Sequence, residues 1–367
     1  MRAALFGLPL WIALSALSGC GQRTGMEKPA PGCLSGQSGC PPACIGVDDQ
    51  TDNDNCGGCG IVCSATPPST AACTQGRCFV TLAFSDPIDF AVGTTAVYWT
   101  TYGSAVRAIP IAGGSPSTFA RGHDYSDGIV VDSANVYWTH YDLDGTVMKA
   151  AIAGGPPTTI ASGQSYPMSI AVHTTGVYWG TWTGQGKAGA LLRAPAGGGA
   201  LLTIATAQQH PDAIHVDGTD VYWGTDNAVM RAPIGGGAVT TLVTAPNIFG
   251  RVAVDGASVY YATFDEGGSG KLMKISKGGG AAATLATAKP GHLAVDATSI
   301  YWTDAQDSND ANGMIMKMSK GGGEPTVLAS GQDGPSRIVV DATSVYWTNY
   351  NANTKDKFPS LMKLTPK

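Results

Sequence analysis

From residue 79 onward, apolar side chains come in short runs, many of them alternating with polar ones, and each run stops at Gly, Pro, Asp or Asn. Alternation with a period of two and this punctuation predict short β-strands, and no stretch is long enough for a helix. One run returns seven times: Val97-Tyr98-Trp99-Thr100, Val136-Tyr137-Trp138-Thr139, Val177-Tyr178-Trp179-Gly180, Val221-Tyr222-Trp223-Gly224, Val259-Tyr260-Tyr261-Ala262, Ile300-Tyr301-Trp302-Thr303 and Val345-Tyr346-Trp347-Thr348. Successive tyrosines of the run are 39, 41, 44, 38, 41 and 45 residues apart. Such periods belong to propeller blades or to helical pairs, and the β-branched and aromatic content selects blades.

Each repeat predicts four strands, A to D. In the second repeat these are residues 128–132, 135–140, 146–152 and 157–161. Asp132, Asp217, Asp255, Asp296 and Asp341 end strand A, where a carboxylate accepts hydrogen bonds from the tight A–B turn, so they are turn formers and not catalysts. Gly pairs and triplets, from Gly113-Gly114 to Gly321–Gly323, supply the C–D turns. The seventh repeat stops at strand C, Leu361–Leu364, while an unpaired D-like segment, Val80-Thr81-Leu82-Ala83, precedes the first A strand. Joining the two predicts an all-β, seven-bladed β-propeller with four antiparallel strands per blade, closed by its N-terminal strand, with no open sheet edge in the ring.

Residues 79–367 resemble the YWTD propellers of the low-density-lipoprotein receptor family. Tyr301-Trp302-Thr303-Asp304 carries the full tetrapeptide, the other repeats carry part of it, and that family usually closes with six blades. The resemblance implies the architecture and no shared ligand.

The N-terminal part has a different pattern. Met1-Arg2 and the apolar run Ala3–Ala16 form a signal segment too short to span a bilayer. It ends in Leu17-Ser18-Gly19-Cys20, which resembles the lipobox of bacterial lipoproteins. That resemblance implies cleavage after residue 19 and acylation of Cys20. Gly21 at the following position implies the outer membrane rather than the inner one. The expected organisation is a signal peptide at 1–19, a lipidated tether at 20–32, a disulfide-rich module at 33–78 and the propeller at 79–367.

All nine cysteines precede residue 79. With Cys20 set aside, Cys33, Cys40, Cys44, Cys56, Cys59, Cys63, Cys73 and Cys78 make an even set suited to four disulfides in an oxidising compartment, with 105 possible pairings. Zinc at Cys56-x-x-Cys59 and Cys73-x4-Cys78 is the competing reading, and calcium at Asp52 and Asp54 a weaker one. The run Asn55-Cys56-Gly57-Gly58-Cys59-Gly60-Ile61-Val62-Cys63 followed by Cys73 and Cys78 resembles the cysteine pattern of the stigma-specific protein family.

Only 13% of residues are charged and the formal net charge is −5, so there is no basic field for phosphates and nucleic acid is an unsuitable partner. No organic cofactor is implied, and calcium is the one ion kept open. The expected partners are the bilayer, through Cys20, and a protein, peptide or glycan, with the chain monomeric.

Function belongs on the face where the B–C and D–A loops vary, because the other two turn sets are short and uniform. Three residues beyond each Trp position stand Tyr102, Tyr141, Trp182, Asp226, Phe264, Ala305 and Tyr350. Five of these seven are aromatic, which suits stacking on sugars or gripping an extended peptide; packing between blades is the alternative. His123, Asp124, Asp127, His140, Asp142 and Asp144 gather at the first two blades, a possible divalent-ion set or a hydrated rim. Arg251, His292 and Arg337 hold equivalent places before strand A of three successive blades and offer an anion site, with salt bridges to Asp89 and Asp212 as the ordinary account. A binding or scaffold module at the cell envelope is therefore expected. The alternative is a propeller lyase, lactonase or hydrolase with a metal or polar site at the channel mouth, although Gly-x-Ser-x-Gly and His-Glu-x-x-His are absent.

Overall fold

The computed structural model describes Thr51, Asn53, Cys56 and residues 62–367, apart from 75, 85–86, 104, 122–124, 185–188, 249–250, 266–269, 305–311 and 351–358. The signal segment, Cys20, Cys33, Cys40, Cys44, Cys59, Asp52, Asp54, His123, Asp124 and Ala305 lie outside the described residues. The chain divides into two compact units: Met1–Ser64 with Ala72–Cys78, and Ala65–Ala71 with Phe79–Lys367.

In the first unit Cys56 is bonded to Cys73 and Cys63 to Cys78. These two bridges use the thiols that a zinc site at Cys56, Cys73 and Cys78 would need as ligands. Asn53 sits between them: its carbonyl accepts the Cys63 N–H at 2.6 Å and its side-chain Oδ1 accepts the Cys73 N–H at 2.5 Å. A segment this short buries little core, so such cross-links provide its order, at about 2–4 kcal/mol each.

The second unit is an all-β, seven-bladed propeller of antiparallel sheets. Blades 1 to 6 follow the chain, over residues 87–121, 126–164, 167–208, 212–244, 252–287 and 290–332. In blade 2 the strands are Ser126–Val131, Asn135–His140, Gly145–Ala151 and Thr158–Gln164, close to the expected bounds. Blade 7 takes strands A to C from Pro335–Val340, Val345–Asn349 and Ser360–Thr365, and its fourth strand from Arg77–Phe84 at the other end of the repeat array. Its outer edge carries a fifth strand, Thr70–Thr74.

The aromatic B strands form the core. Trp99, Trp179, Trp223, Trp302 and Trp347 are fully buried, as are Tyr178, Tyr222, Tyr301 and Tyr346, and each ring removes roughly 150–250 Å² from water. Trp138 of blade 2 packs with Tyr98 and Val106 of blade 1, so the clusters run from sheet to sheet around the ring. In three places the buried indole N–H finds its acceptor in the preceding blade, at the end of strand D. Trp179 donates to Gln164 at 3.1 Å, Trp223 to Gln208 at 3.0 Å and Trp347 to Gln332 at 2.9 Å.

The A–B turns are built as expected. One oxygen of Asp132, Asp255, Asp296 or Asp341 accepts the N–H groups two and three residues on, at 2.7–2.8 Å. Its other oxygen accepts the hydroxyl of the strand-B tyrosine. Six C–D turns each hold two glycines at positive φ, such as Gly154 at 97° and Gly155 at 123°, where any Cβ would be strained.

Strand A carries a feature with no sequence signature. In six blades its pairing with strand B shifts by one residue, as between Pro87↔Thr101 and Phe90↔Trp99, or Pro335↔Asn349 and Ile338↔Trp347. Each shift is a β-bulge, which bends the strand and re-aims a side chain. Strand A is innermost in a blade, so these bulges lie along the central channel.

Candidate functional site

The bulges present charged side chains. Asp89 and Asp127 come from blades 1 and 2, and His292 and Arg337 from blades 6 and 7; each stands between the two paired positions that flank a register shift. Asp212 stands at the shift in blade 4. Arg337 Nε lies 3.5 Å from Asp89 Oδ1. The Asp89 carboxylate also accepts the Phe90 N–H at 2.9 Å and the Ile129 N–H from the next blade at 3.3 Å. Burial still raises its pKa, against the opposing pull of Arg337.

Asp127 is placed differently. Its backbone carbonyl accepts the Thr100 hydroxyl at 2.8 Å, which ties blade 2 to blade 1, but among the described residues its side chain has neither a hydrogen bond nor an ion pair. Burial raises its carboxyl to about 6; Arg337 pulls it down, while Asp89 and Asp212 push it further up. The side chain is open to the channel along one side, yet protein surrounds it closely enough to impose that desolvation.

Of the three expected cations, two are charged and one of those is committed. Burial, then Arg337 and Arg251, hold the His292 imidazole well below its usual pKa, so it is neutral at pH 7. Arg337 is paired with Asp89. Arg251 stacks on the Phe264 ring, with its guanidinium carbon 4.7 Å from the centroid, and its buried Nη1 has no hydrogen-bond partner. The channel mouth thus has an acidic side on blades 1, 2 and 4 and a basic side on blades 5 and 7.

Above the channel the variable loops bring aromatic rings into contact. Tyr102, Tyr125, Tyr141, Tyr166, Trp182 and His210 form one continuous arc, with successive centroids 5.3, 5.4, 5.0, 6.0 and 6.1 Å apart. The arc ends on Asp226, whose Oδ1 is 3.4 Å from His210 Nδ1. Tyr102, Tyr141 and Trp182 are residues that the sequence singles out in the B–C loops, whereas Tyr125, Tyr166 and His210 come from the D–A loops and alternate with them. Phe264 lies under Arg251 instead, and Tyr350 is exposed.

The D–A residues hold unusual backbone. Tyr125, Tyr166, His210 and Asn247, from four successive loops, have φ of 67°, 43°, 52° and 55°. A non-glycine residue there costs on the order of 1–3 kcal/mol, and such strain clusters at functional sites. The loops are braced across to their neighbours: the Tyr141 N–H donates to the Tyr125 carbonyl at 2.9 Å, and the Trp182 N–H to the Ser165 and Tyr166 carbonyls at 3.1 and 3.2 Å. Tyr102 and Tyr125 remain 50% and 39% exposed, and Tyr141, Tyr166, Trp182 and His210 are half-buried.

The metal reading of the first two blades gains no geometry. Among the described residues no three His, Cys, Asp or Glu side chains gather closely enough to hold an ion. His140 is buried, and Asp142 caps the Leu143 N–H at 2.6 Å. Among the described residues no helix is long and apolar enough to cross a membrane.

No protein-family model matches the sequence, and no curated protein matches it significantly. Solved structures do match its fold. An oligogalacturonate lyase from Vibrio parahaemolyticus aligns at a TM-score of 0.60 and 10% identity, over 82% of this chain and 95% of the lyase. The WD40 β-propeller domain of Doa1 aligns at 0.54 and 13%, over 77% of this chain and 95% of the domain. The nidogen/laminin complex aligns at 0.44 and 17%, over 70% of this chain and 86% of that one. At such identities the likeness shows the β-propeller architecture alone.

Proposed function

We propose that this chain is a recognition protein of the cell envelope, held to the bilayer through acylated Cys20, which grips an extended peptide segment of a partner protein with the loop face of its propeller. The observation that carries the reading is the six-ring arc from Tyr102 to His210, held up by strained loops and left accessible. Tyr and Trp supply large contact area with few rotamers to freeze, and they dominate peptide and protein recognition. The channel mouth beneath adds charges of both signs, so acidic side chains meet Arg251 and basic ones the carboxylates, and a peptide carries both. The cysteine-rich module, similar in pattern to stigma-specific proteins, serves as the spacer between anchor and propeller.

Displayed peptide and glycan arrays test the ligand class on the full acylated chain. Peptides are expected to bind, and selective binding to neutral glycans alone would contradict the reading. For the anchor, labelling with radioactive palmitate is expected at Cys20 and absent from Cys20→Ala.

A second reading is favoured by one observation. A carboxyl raised to about 6 within the field of Arg337 is poised for proton transfer at the channel mouth, as in a propeller lyase, lactonase or hydrolase. Turnover of an oligosaccharide or lactone that vanished in Asp127→Asn would move the function to that class.

A further inference from the structure

Asp127 raises a question that the arc alone does not answer. Among the described residues its carboxylate has no hydrogen-bond or ion-pair partner, and it lies close to the aromatic arc. Arg337, whose charge acts on Asp127, is engaged by Asp89, and among the described residues no Lys, Arg or backbone N–H bonds to the Asp127 carboxylate. Buried carboxylates are ordinarily paired or hydrogen-bonded, so an unpaired one implies that its counter-charge arrives from outside.

The surroundings specify that counter-charge. Asp127 follows Tyr125 by two residues, and the Tyr125 ring stands between Tyr102 and Tyr141, 5.3 and 5.4 Å from their centroids. After burial, the charge of Asp127 is among the influences that raise the Tyr102 and Tyr141 hydroxyls, which places both rings within its field. Aromatic faces carry negative potential and attract a compact cation, and hydroxyl oxygens accept its hydrogen bonds. Among the described residues no third His, Cys, Asp or Glu gathers with the carboxylates. The backbone of Tyr125, at φ 67°, keeps its ring in this place at a cost that packing between blades does not require.

We infer that the trough formed by Tyr102, Tyr125 and Tyr141 over Asp127 is a subsite for a protonated amine, and that it seats a lysine ε-ammonium or an N-terminal α-ammonium of the bound peptide. The inference rests on the recognition reading, and it names the one side-chain chemistry that the first two blades select.

Four peptides test it on the full chain by two-dimensional NMR titration at neutral pH. They are Gly-Gly-Lys-Gly-Gly blocked at both ends, the same peptide with Nε-acetyl-lysine, the same with alanine for lysine, and the alanine peptide with a free N-terminus. The blocked lysine peptide is expected to bind at least about tenfold more tightly than its acetylated twin, a difference that desolvated charge pairs readily produce. Asp127→Asn is expected to erase that difference while leaving the spectrum folded. A preference confined to the alanine peptide with a free N-terminus would assign the site to the α-ammonium. Equal binding of the lysine and acetyl-lysine peptides, or a preference unchanged in Asp127→Asn, overturns the amine subsite. Failure here with array-selected peptides still lost on arc substitution would leave the recognition reading standing. Failure of both would remove the two together.

Discussion

Asp127 and Asp296 are both strand-A carboxylates in one repeat architecture, and their environments drive their pKa values in opposite directions. For Asp296 burial pushes upward, but Lys367 at 2.7 Å, two backbone N–H groups and the Tyr301 hydroxyl outweigh it and hold the group well below its usual range. For Asp127 the pull of Arg337 and His210 does not outweigh burial and the charges of Asp89 and Asp212, and the group rises to about 6 from an ordinary 3.8. A raised carboxyl keeps its proton in the folded state while the unfolded chain has lost it, so stability falls as pH rises from about 4 to about 6. Asp127→Asn is therefore expected to stabilise the protein at pH 7 by on the order of 1–2 kcal/mol, less than the full shift because channel water screens the charge. Urea unfolding of the two proteins at pH 7 and below pH 4 checks this. The gain should be present at the higher pH and absent at the lower, and a gain of equal size at both would point to packing instead.

The elements show which parts of this arrangement a sequence can express. The B strands repeat Val-Tyr-Trp because every blade needs the same large rings between neighbouring sheets, so their role is visible from spacing alone. The turn aspartates were equally legible, since an Asx at the end of a strand has few other tasks. The strand-A bulges were not, because an inserted residue changes register without changing residue type; the repeat sets His292, Arg337 and Asp89 at one level, whereas Asp127 joins them only through the pairing. Tyr125 and Tyr166 left a trace, standing directly before the Ser126 and Pro167 that open strand A, and His210 stands two residues before Asp212, where strand A of blade 4 opens. The cysteine pairing needed coordinates, because 105 solutions satisfy the count. A consequence lies on the opposite face, where Lys277, Lys320 and Lys367 each reach back one blade to Asp217, Asp255 and Asp296, at 2.8, 2.6 and 2.7 Å. These pairs are mostly shielded from solvent, and a carboxylate with a lowered pKa contributes stability above pH 4 that is lost as pH falls through its folded value. Asp296→Asn is expected to cost on the order of 1–2 kcal/mol at pH 7, read by thermal or urea unfolding, with the difference shrinking in acid.

At the scale of the molecule, ring closure is what turns seven similar sheets into one face. Strand C of blade 7 meets a strand from the start of the array, Phe79 packs edge-on against Trp347 at 6.3 Å, and Lys363 donates to the Ile111 carbonyl of blade 1 at 3.3 Å. With the ring fixed, the D–A and B–C loops of blades 1 to 4 have fixed neighbours, so rings separated by about twenty residues in sequence can touch in order. Recognition by that arc is the claim on which the functional account stands. The measurement that tests it most directly is the affinity of an array-selected peptide for the full chain and for the triple variant Tyr102→Ala, Tyr141→Ala and Trp182→Ala, with thermal unfolding followed in parallel. Loss of binding by about a hundredfold or more, with the unfolding midpoint of the propeller little changed, is the result this account predicts, as removal of clustered aromatic anchors implies. Binding that survives the triple substitution intact would contradict it.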